Sequence, residues 1–393
     1  MTASIVLKRG KEQSLLRFHP WIFSGAIART TGNPAEGDLV EVYTSENDLI
    51  GIGHYQIGSI TVRMLSFAPD TFTEGFWLER ITEAIKLRKA LGLLQNIKTN
   101  AFRLIHGEGD GLPGLIVDIY DTTAVIQAHT VGMYRNRQLI ATLLMSLPEL
   151  HLKSVYDKSA TTLPFNAGLN PQDGFLVGEQ GTSWAMENNL LFNIDWVEGQ
   201  KTGFFIDQRE NRMLLERYSA GRNVLNMFCY TGGFSVYALR GKANLVHSVD
   251  SSKRAIELTN TNVEKNFAEA PNHKAFAEDA FNFFRKEEDK YDLIILDPPA
   301  FAKHNKVLGN ALQGYKRLNT IALSKIQSGG ILFTFSCSQV VTKEHFRNTV
   351  FTAAAIAGRK VRILHQLSQP GDHPINIYHP EGEYLKGLVV YVE

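Results

Sequence analysis

From about residue 196 onward, short apolar runs alternate with amphipathic stretches. NVLNMF, LVHSVD, DLIILD and GGILFTFS are nearly continuous hydrophobic segments, the pattern of strands buried on both faces. Between them, GFSVYALR, KRAIELTNTNVEKN and residues 307–327 carry apolar positions at helical spacing. Such alternation predicts a parallel sheet wound on both sides. The first part of the chain reads differently. Residues 1–68 hold SIVLK, GDLVEVY, LIGIGHY and SITVRML between turn residues, which predicts a small β-barrel. FTEGFWLERITEAIKLRKALGLL places Phe76, Trp77, Ile81, Ile85 and Leu91 on one helical face. Residues 102–195 return to strands, with RLIHGEGDGLPGLIVDIY and TTAVIQAH as a hairpin and a second helix around 136–146. The expected organisation is α/β, with a barrel over 1–70, a central α+β domain over 71–195 and a doubly wound domain over 196–393.

Composition narrows the classes. An apolar share of 44% and a charged share of 21% are those of a globular protein. No apolar run approaches the ~18 residues of a membrane span. Lys8, Arg9, Lys11 and Glu12 fall where a secretory signal needs its apolar core, so no membrane partner and a cytoplasmic location are expected. The net charge of +1 carries no blanket signal for nucleic acid, although the excess of basic residues lies in the second half. Only two cysteines occur, Cys229 and Cys337, which excludes a disulfide framework or a zinc cluster.

Ligands of open α/β sheets sit outside the carboxyl ends of the strands. The first strand carries Asn226 and Phe228 into the loop CYTGGFS, where Thr231, Gly232 and Gly233 open a helix. The second ends on Asp250, followed by Ser251; a carboxylate there can accept from both hydroxyls of a ribose. A third element, EDAFNFF, offers Asp279 and Ala280 toward an adenine. NAD binding wants G-x-G-x-x-G to seat a pyrophosphate, and CYTGGFS lacks it. S-adenosylmethionine has no phosphate and tolerates a looser Gly pair, so it is the expected cofactor. A Gly pair alone is a turn in most proteins; its combination with Asp250 and Asp279 carries the cofactor reading.

The fourth strand runs into Asp297-Pro298-Pro299-Ala300-Phe301. Prolines stiffen that exit, Asp297 can bind the polar edge of a base, and Phe301 can stack on one. The fifth delivers Cys337 in S-C-S. C5 of a pyrimidine is barely nucleophilic, and a thiolate adding at C6 would activate it. Otherwise Cys337 is a small core residue at a strand end, as Cys229 is expected to be.

These segments are similar to a known family. NMFCYTGGFSVYA, SVDSSKRAIE, DLIILDPPAFAK, LFTFSCSQ and DHPINIYHPEGEYLKGL resemble bacterial 23S ribosomal RNA cytosine-5 methyltransferases of the ribosomal RNA large subunit methyltransferase I type. LKRGKEQSLLRFHPWIFSGAI and GDLVEVY resemble that family's PUA domain, a small RNA-binding barrel. FRLIHGEGDGLPGLIVDIY resembles its central domain, so the resemblance covers essentially the whole chain. It implies a class I Rossmann-like methyltransferase sheet, S-adenosylmethionine as cofactor and 23S ribosomal RNA as substrate. Carried across, Cys337 is the nucleophile, Asp297 the base-binding group, Asp250 the ribose acid and Asp279 the adenine-side acid. Gln208 and Arg209, in FFIDQREN, fall where the family's segment approaches the cofactor. The second cysteine that another branch carries after the fourth-strand prolines is absent here.

Arg17 and His19, with Trp21, can form a local RNA-facing cluster; alternatively Trp21 and Phe23 anchor the barrel and His19 caps a turn. Three readings remain open: a cytosine-5 RNA methyltransferase, a base N-methyltransferase with Cys337 structural, and a non-catalytic RNA-binding protein. Pairing into a homodimer through the β-rich half is compatible with each.

Overall fold

The computed structural model describes residues 3–67, 74–164, 169–286, 291–302 and 304–393. The expected boundary between residues 70 and 71 lies outside them. The chain forms two compact units, one of Met1–Asn189, Ile194–Ile206 and Gly371–Gly382, the other of Leu190–Asn193, Asp207–Pro370 and Glu383–Glu393. Among the described residues no helix is long and apolar enough to cross a membrane.

The first unit opens with β1 (Ser4–Leu7), β2 (Trp21–Phe23), β3 (Ile27–Thr31), β4 (Leu39–Tyr43), β5 (Leu49–Tyr55) and β6 (Ile60–Ser66), in the order β2-β6-β5-β4-β1-β3. Their inward residues Ile5, Leu7, Ile22, Val40, Val42, Val62 and Met64 form one core. Neither β2 nor β3 announces itself in the hydrophobic pattern, because β2 buries only Ile22 and β3 is almost wholly exposed.

α1 (Glu74–Ala90) then precedes β7 (Ala101–His106), β8 (Leu115–Tyr120), β9 (Thr123–Ala128), α2 (Val131–Met145), β10 (Ser154–Asp157), β11 (Gly174–Val177) and β12 (Trp184–Glu187). The sheet runs β11-β10-β9-β8-β7. The stretch read as one arm of a hairpin is two strands, split by a tight turn over Gly107–Asp110. Phe76, Trp77, Ile81 and Ile85 are buried as their spacing requires, whereas Leu91 lies past the end of α1 and is 43% exposed. α2 starts earlier than expected, at a cap where the Thr130 side chain accepts from the Met133 N–H.

Arg88 is fully buried in this unit. Its guanidinium donates to both oxygens of Asp110 at 2.5 and 2.8 Å, to the Arg103 carbonyl and to the Asp372 carbonyl. Asp372 in turn accepts from the Arg103 N–H. Removing one partner of a buried pair strands the others without water. Arg88→Met is expected to lower stability by ~3 kcal/mol or more in urea unfolding.

The second unit contains β13 (Leu190–Asn193), α3 (Arg209–Ser219), β14 (Asn223–Met227), α4 (Gly233–Arg240), β15 (Leu245–Asp250), α5 (Lys253–Asn266), β16 (His273–Ala277), α6 (Ala280–Lys286), β17 (Leu293–Leu296), α7 (Leu308–Lys325), β18 (Gly330–Ser336), α8 (Lys343–Ile356), β19 (Val361–Ser368) and β20 (Lys386–Val392). The sheet order is β16-β15-β14-β17-β18-β20-β19. The first five strands are parallel, and β20 runs antiparallel between β18 and β19. Alternate residues feed two cores: Leu225, Met227, Ile294, Leu296 and Leu332 pack on one face, Val224, Leu293, Ile295, Ile331 and Phe333 on the other. Burial on both faces explains the unbroken apolar runs. The reversed β20 departs from the all-parallel sheet that the alternation predicts.

Candidate active site

The loop leaving β14 is tightly wound. Phe228, Tyr230 and Gly232 have φ of 60°, 47° and 77°, and left-handed backbone at two bulky aromatic residues is rare and costs energy. Cross-links hold it. The Cys229 N–H donates to the Val249 carbonyl, and the Tyr230 N–H to Asp250 Oδ2 at 3.0 Å. From α5, Thr259 Oγ1 donates to the Tyr230 carbonyl and Asn262 Nδ2 to the Thr231 carbonyl. Gly232 is required here by its φ and by α5, since a Cβ would lie 2.7 Å from the Thr259 methyl. At Gly233 a Cβ would meet the Arg212 side chain at 3.1 Å. Both glycines thus serve the packing of the loop itself.

The acids behave individually. Asp250, at the end of β15, accepts one backbone N–H on each oxygen, from Tyr230 and from Ser252. That fixes the carboxylate and leaves lone pairs on both oxygens for further donors. Ser251 beside it is exposed. Asp279 is exposed and uses Oδ1 to accept from the Asn282 N–H, capping α6, while Ala280 is buried. Asn226 lies below the loop: its Nδ2 donates to Ser235 Oγ, which continues to Ser248 and His273. Phe228 packs against the sheet core.

At the end of β17, Asp297 accepts from Gln208 Nε2 at 3.0 Å, and Gln208 Oε1 accepts from Asn211. Asp207 is held by the Tyr384 hydroxyl at 2.7 Å. Burial of the Asp297 carboxyl, reinforced by the charge of Asp207, pushes it up to about 7 against the opposing pull of Gln208 and Arg212. Taken as a whole the residue is half-buried. Arg209 is buried in the first turn of α3.

Pairing of β17 with β18 sets Leu296 beside Thr334, so the segments that follow emerge at one edge. Cys337 Sγ lies 4.0 Å from the Pro298 carbonyl oxygen. The two serines of S-C-S have structural work: Ser338 Oγ accepts from the Ala302 N–H at 3.3 Å and bonds to the Tyr315 hydroxyl at 3.0 Å, and Ser336 Oγ accepts from the Ser338 N–H. Lys386 Nζ donates to the Ser338 and Val341 carbonyls at 2.7 and 2.8 Å. Pro298 is buried and Pro299 exposed. Phe301 has one side against α7, with its ring 4.5 Å from that of Tyr315. Cys229 is buried, its thiol pushed well up by burial and the charge of Asp250, as suits a packing residue.

The pattern of the chain did not point to several of these residues, among them Ser338, Tyr315, Lys386, Asp207, Thr259 and the loop-holding Asn262. A lysine inside the apolar strand KGLVVYV and polar residues on the inner face of α5 were the available signals. Arg17 and His19 belong to the first unit. Arg17 is exposed, and His19 Nδ1 accepts from the Trp21 N–H, the turn-capping role. Trp21 Nε1 donates to Glu108. Phe23 does not anchor the barrel, being 46% exposed; Ile22 points inward instead.

A family model for S-adenosylmethionine-dependent methyltransferases matches residues 161–374, and one for a PUA-like domain matches 5–67. The chain is 41% identical to ribosomal RNA large subunit methyltransferase I of Aeromonas hydrophila over 399 residues, 99% of each chain. The chain belongs to the ribosomal RNA large subunit methyltransferase I family. The member from Escherichia coli is 36% identical over 400 residues, 100% of each chain. A putative S-adenosylmethionine-dependent methyltransferase from Streptococcus mutans shares the fold with a TM-score of 0.84 at 22% identity over 100% of both chains. A putative methyltransferase solved with S-adenosylhomocysteine does so at 0.85 and 23%, also over 100% of both. Like other members of the methyltransferase I family, this chain is a class I methyltransferase using S-adenosylmethionine.

The residues fit that cofactor. Thr231 Oγ1 is a buried hydroxyl without a partner among the described residues, and the fixed Asp250 carboxylate has acceptor capacity for a diol. Asp250→Ala is expected to weaken S-adenosylmethionine binding tenfold or more, ~1.4 kcal/mol, because charged hydrogen bonds are lost and the Tyr230 N–H loses its acceptor. Isothermal calorimetry on the full chain measures it.

Proposed function

We propose that the chain methylates C5 of a cytosine in 23S ribosomal RNA, with Cys337 as the nucleophile toward C6. The observation that carries this reading is the 4.0 Å approach of Cys337 Sγ to the Asp297-Pro298 turn. The substrate class follows the names of the relatives, which are ribosomal RNA large subunit methyltransferases. Thr231, Asp250, Asp279 and the segment of Gln208 and Arg209 hold the cofactor, which supplies an electrophilic methyl group on a sulfonium.

Each residue then has a task. Pro298 and Pro299 stiffen the turn so that Asp297 meets the polar edge of the base. A carboxyl lifted to about 7 is substantially protonated near neutrality, and its O–H can donate to the ring nitrogen N3. That hydrogen bond draws electron density from C6, where the Cys337 thiolate adds. Gln208, donating to Asp297, fixes which way the carboxyl faces. With one face covered by Tyr315, Phe301 has a single side to offer a base. The PUA-like segment, including Arg17 and His19, contributes RNA contacts in the first unit.

Cys337→Ala is expected to abolish methylation, by on the order of 10³-fold or more, with cofactor binding unchanged. Bisulfite mapping of 23S ribosomal RNA from cells with and without the gene should reveal one cytosine whose protection depends on it. A methyl group on nitrogen, or activity retained by Cys337→Ala, would favour an N-methyltransferase. Because the protonated form of Asp297 donates, kcat/KM carries a limb that falls as pH rises through about 7, and Asp297→Asn removes that limb.

A further inference from the structure

β20 is an apolar strand buried on both faces, yet its first residue is a lysine. Lys386 is 4% exposed, and its register partner across the ladder is Ser336, the residue before Cys337. Two of its N–H groups are spent on the Ser338 and Val341 carbonyls. These carbonyls neutralise part of the ammonium's charge, but no carboxylate pairs with it among the described contacts. Glu383, the acid nearest in sequence, is engaged by Lys343. A buried cation without a counter-ion is costly. Burial pushes Lys386 down to about 8; Cys337 and then Glu383 oppose that shift, and Lys343 adds to it. Tyr315, raised chiefly by burial, feels the charge of Cys337 as well.

We propose that Lys386 is the positioning residue of the nucleophile: it staples the turn that carries Cys337 and supplies the positive charge against which the thiolate forms and to which it returns. The proposal rests on Cys337 as nucleophile and extends it to the release step. In the forward step the Sγ–C6 bond forms and the C5=C6 electron pair shifts to C5. That pair forms the C5–CH3 bond as the methyl–sulfonium bond breaks, its electrons remaining on a neutral thioether sulfur. The C5 proton then leaves to solvent, the C5–H electron pair re-forms C5=C6, and the cysteine sulfur departs with the Sγ–C6 electrons as a thiolate. A thiol of lower pKa leaves faster, so one ammonium assists both attack and release. No second cysteine is needed for that.

The test is the pH dependence of Cys337 alkylation by iodoacetamide in the full chain, followed by mass spectrometry of the Cys337 peptide so that buried Cys229 does not contribute. In the wild type the midpoint is expected below the ~8.5 of a free thiol. Lys386→Met is expected to raise it by about one pH unit or more, and Lys386→Arg, which keeps the charge, to restore most of the difference. An unchanged midpoint in a Lys386→Met chain that melts cooperatively overturns the proposal. If that variant does not fold, the wild-type midpoint decides: below ~8.5 upholds the proposal, at or above it overturns it. The two readings fail separately, because retained activity in Cys337→Ala removes the nucleophile without altering the titration, and an unshifted titration removes Lys386 without restoring activity to Cys337→Ala.

Discussion

Parallel pairing of β17 with β18 is the constraint from which the reaction end follows. The ladder brings Leu296 level with Thr334, and both strands are buried throughout between two packed cores, so a one-residue slip would force side chains fitted to one core into the other. The chain beyond each strand end is therefore delivered to the same edge. Hydrogen bonds then set the finer geometry: Ser338 reaches the Ala302 N–H and the Tyr315 hydroxyl, binding the cysteine turn to the Asp-Pro-Pro turn and to α7. The serines on either side of Cys337 are the fastening of the turn.

At the other end of the site the same economy applies through α5. Its inward face carries Thr259 and Asn262, which grip the carbonyls of Tyr230 and Thr231, while Asp250 takes the Tyr230 N–H. A loop with left-handed backbone at alternate residues is held in one conformation by these bonds. Pre-organisation of this kind lets a cofactor bind without first ordering its receptor.

Much of this was legible in the pattern of the chain. NVLNMF, LVHSVD, DLIILD and GGILFTFS became β14, β15, β17 and β18 because burial on both faces leaves no room for polar interruption. KRAIELTNTNVEKN became α5 over the predicted residues, with Ser252 as its cap. What the pattern hid has physical causes. β3 is exposed, so its residues carry no apolar signal, and β19 is an edge strand with most side chains in water. Gly232 looks like a ligand-facing glycine, but its missing Cβ faces Thr259. The Asp297 carboxyl is raised by burial and then by Asp207, ninety residues earlier in the chain, and no local spacing could announce that proximity.

Trapping reads the covalent role of Cys337. The full chain is incubated with S-adenosylmethionine and a 23S-derived transcript made with 5-fluorocytosine, whose C5 fluorine cannot leave as a proton does. The predicted result is a denaturant-resistant protein–RNA complex, mapped by mass spectrometry to the Cys337 peptide and absent from Cys337→Ala. A complex that persists in Cys337→Ala, or a wild-type chain that methylates cytosine RNA yet forms no adduct with the fluorinated one, would contradict it.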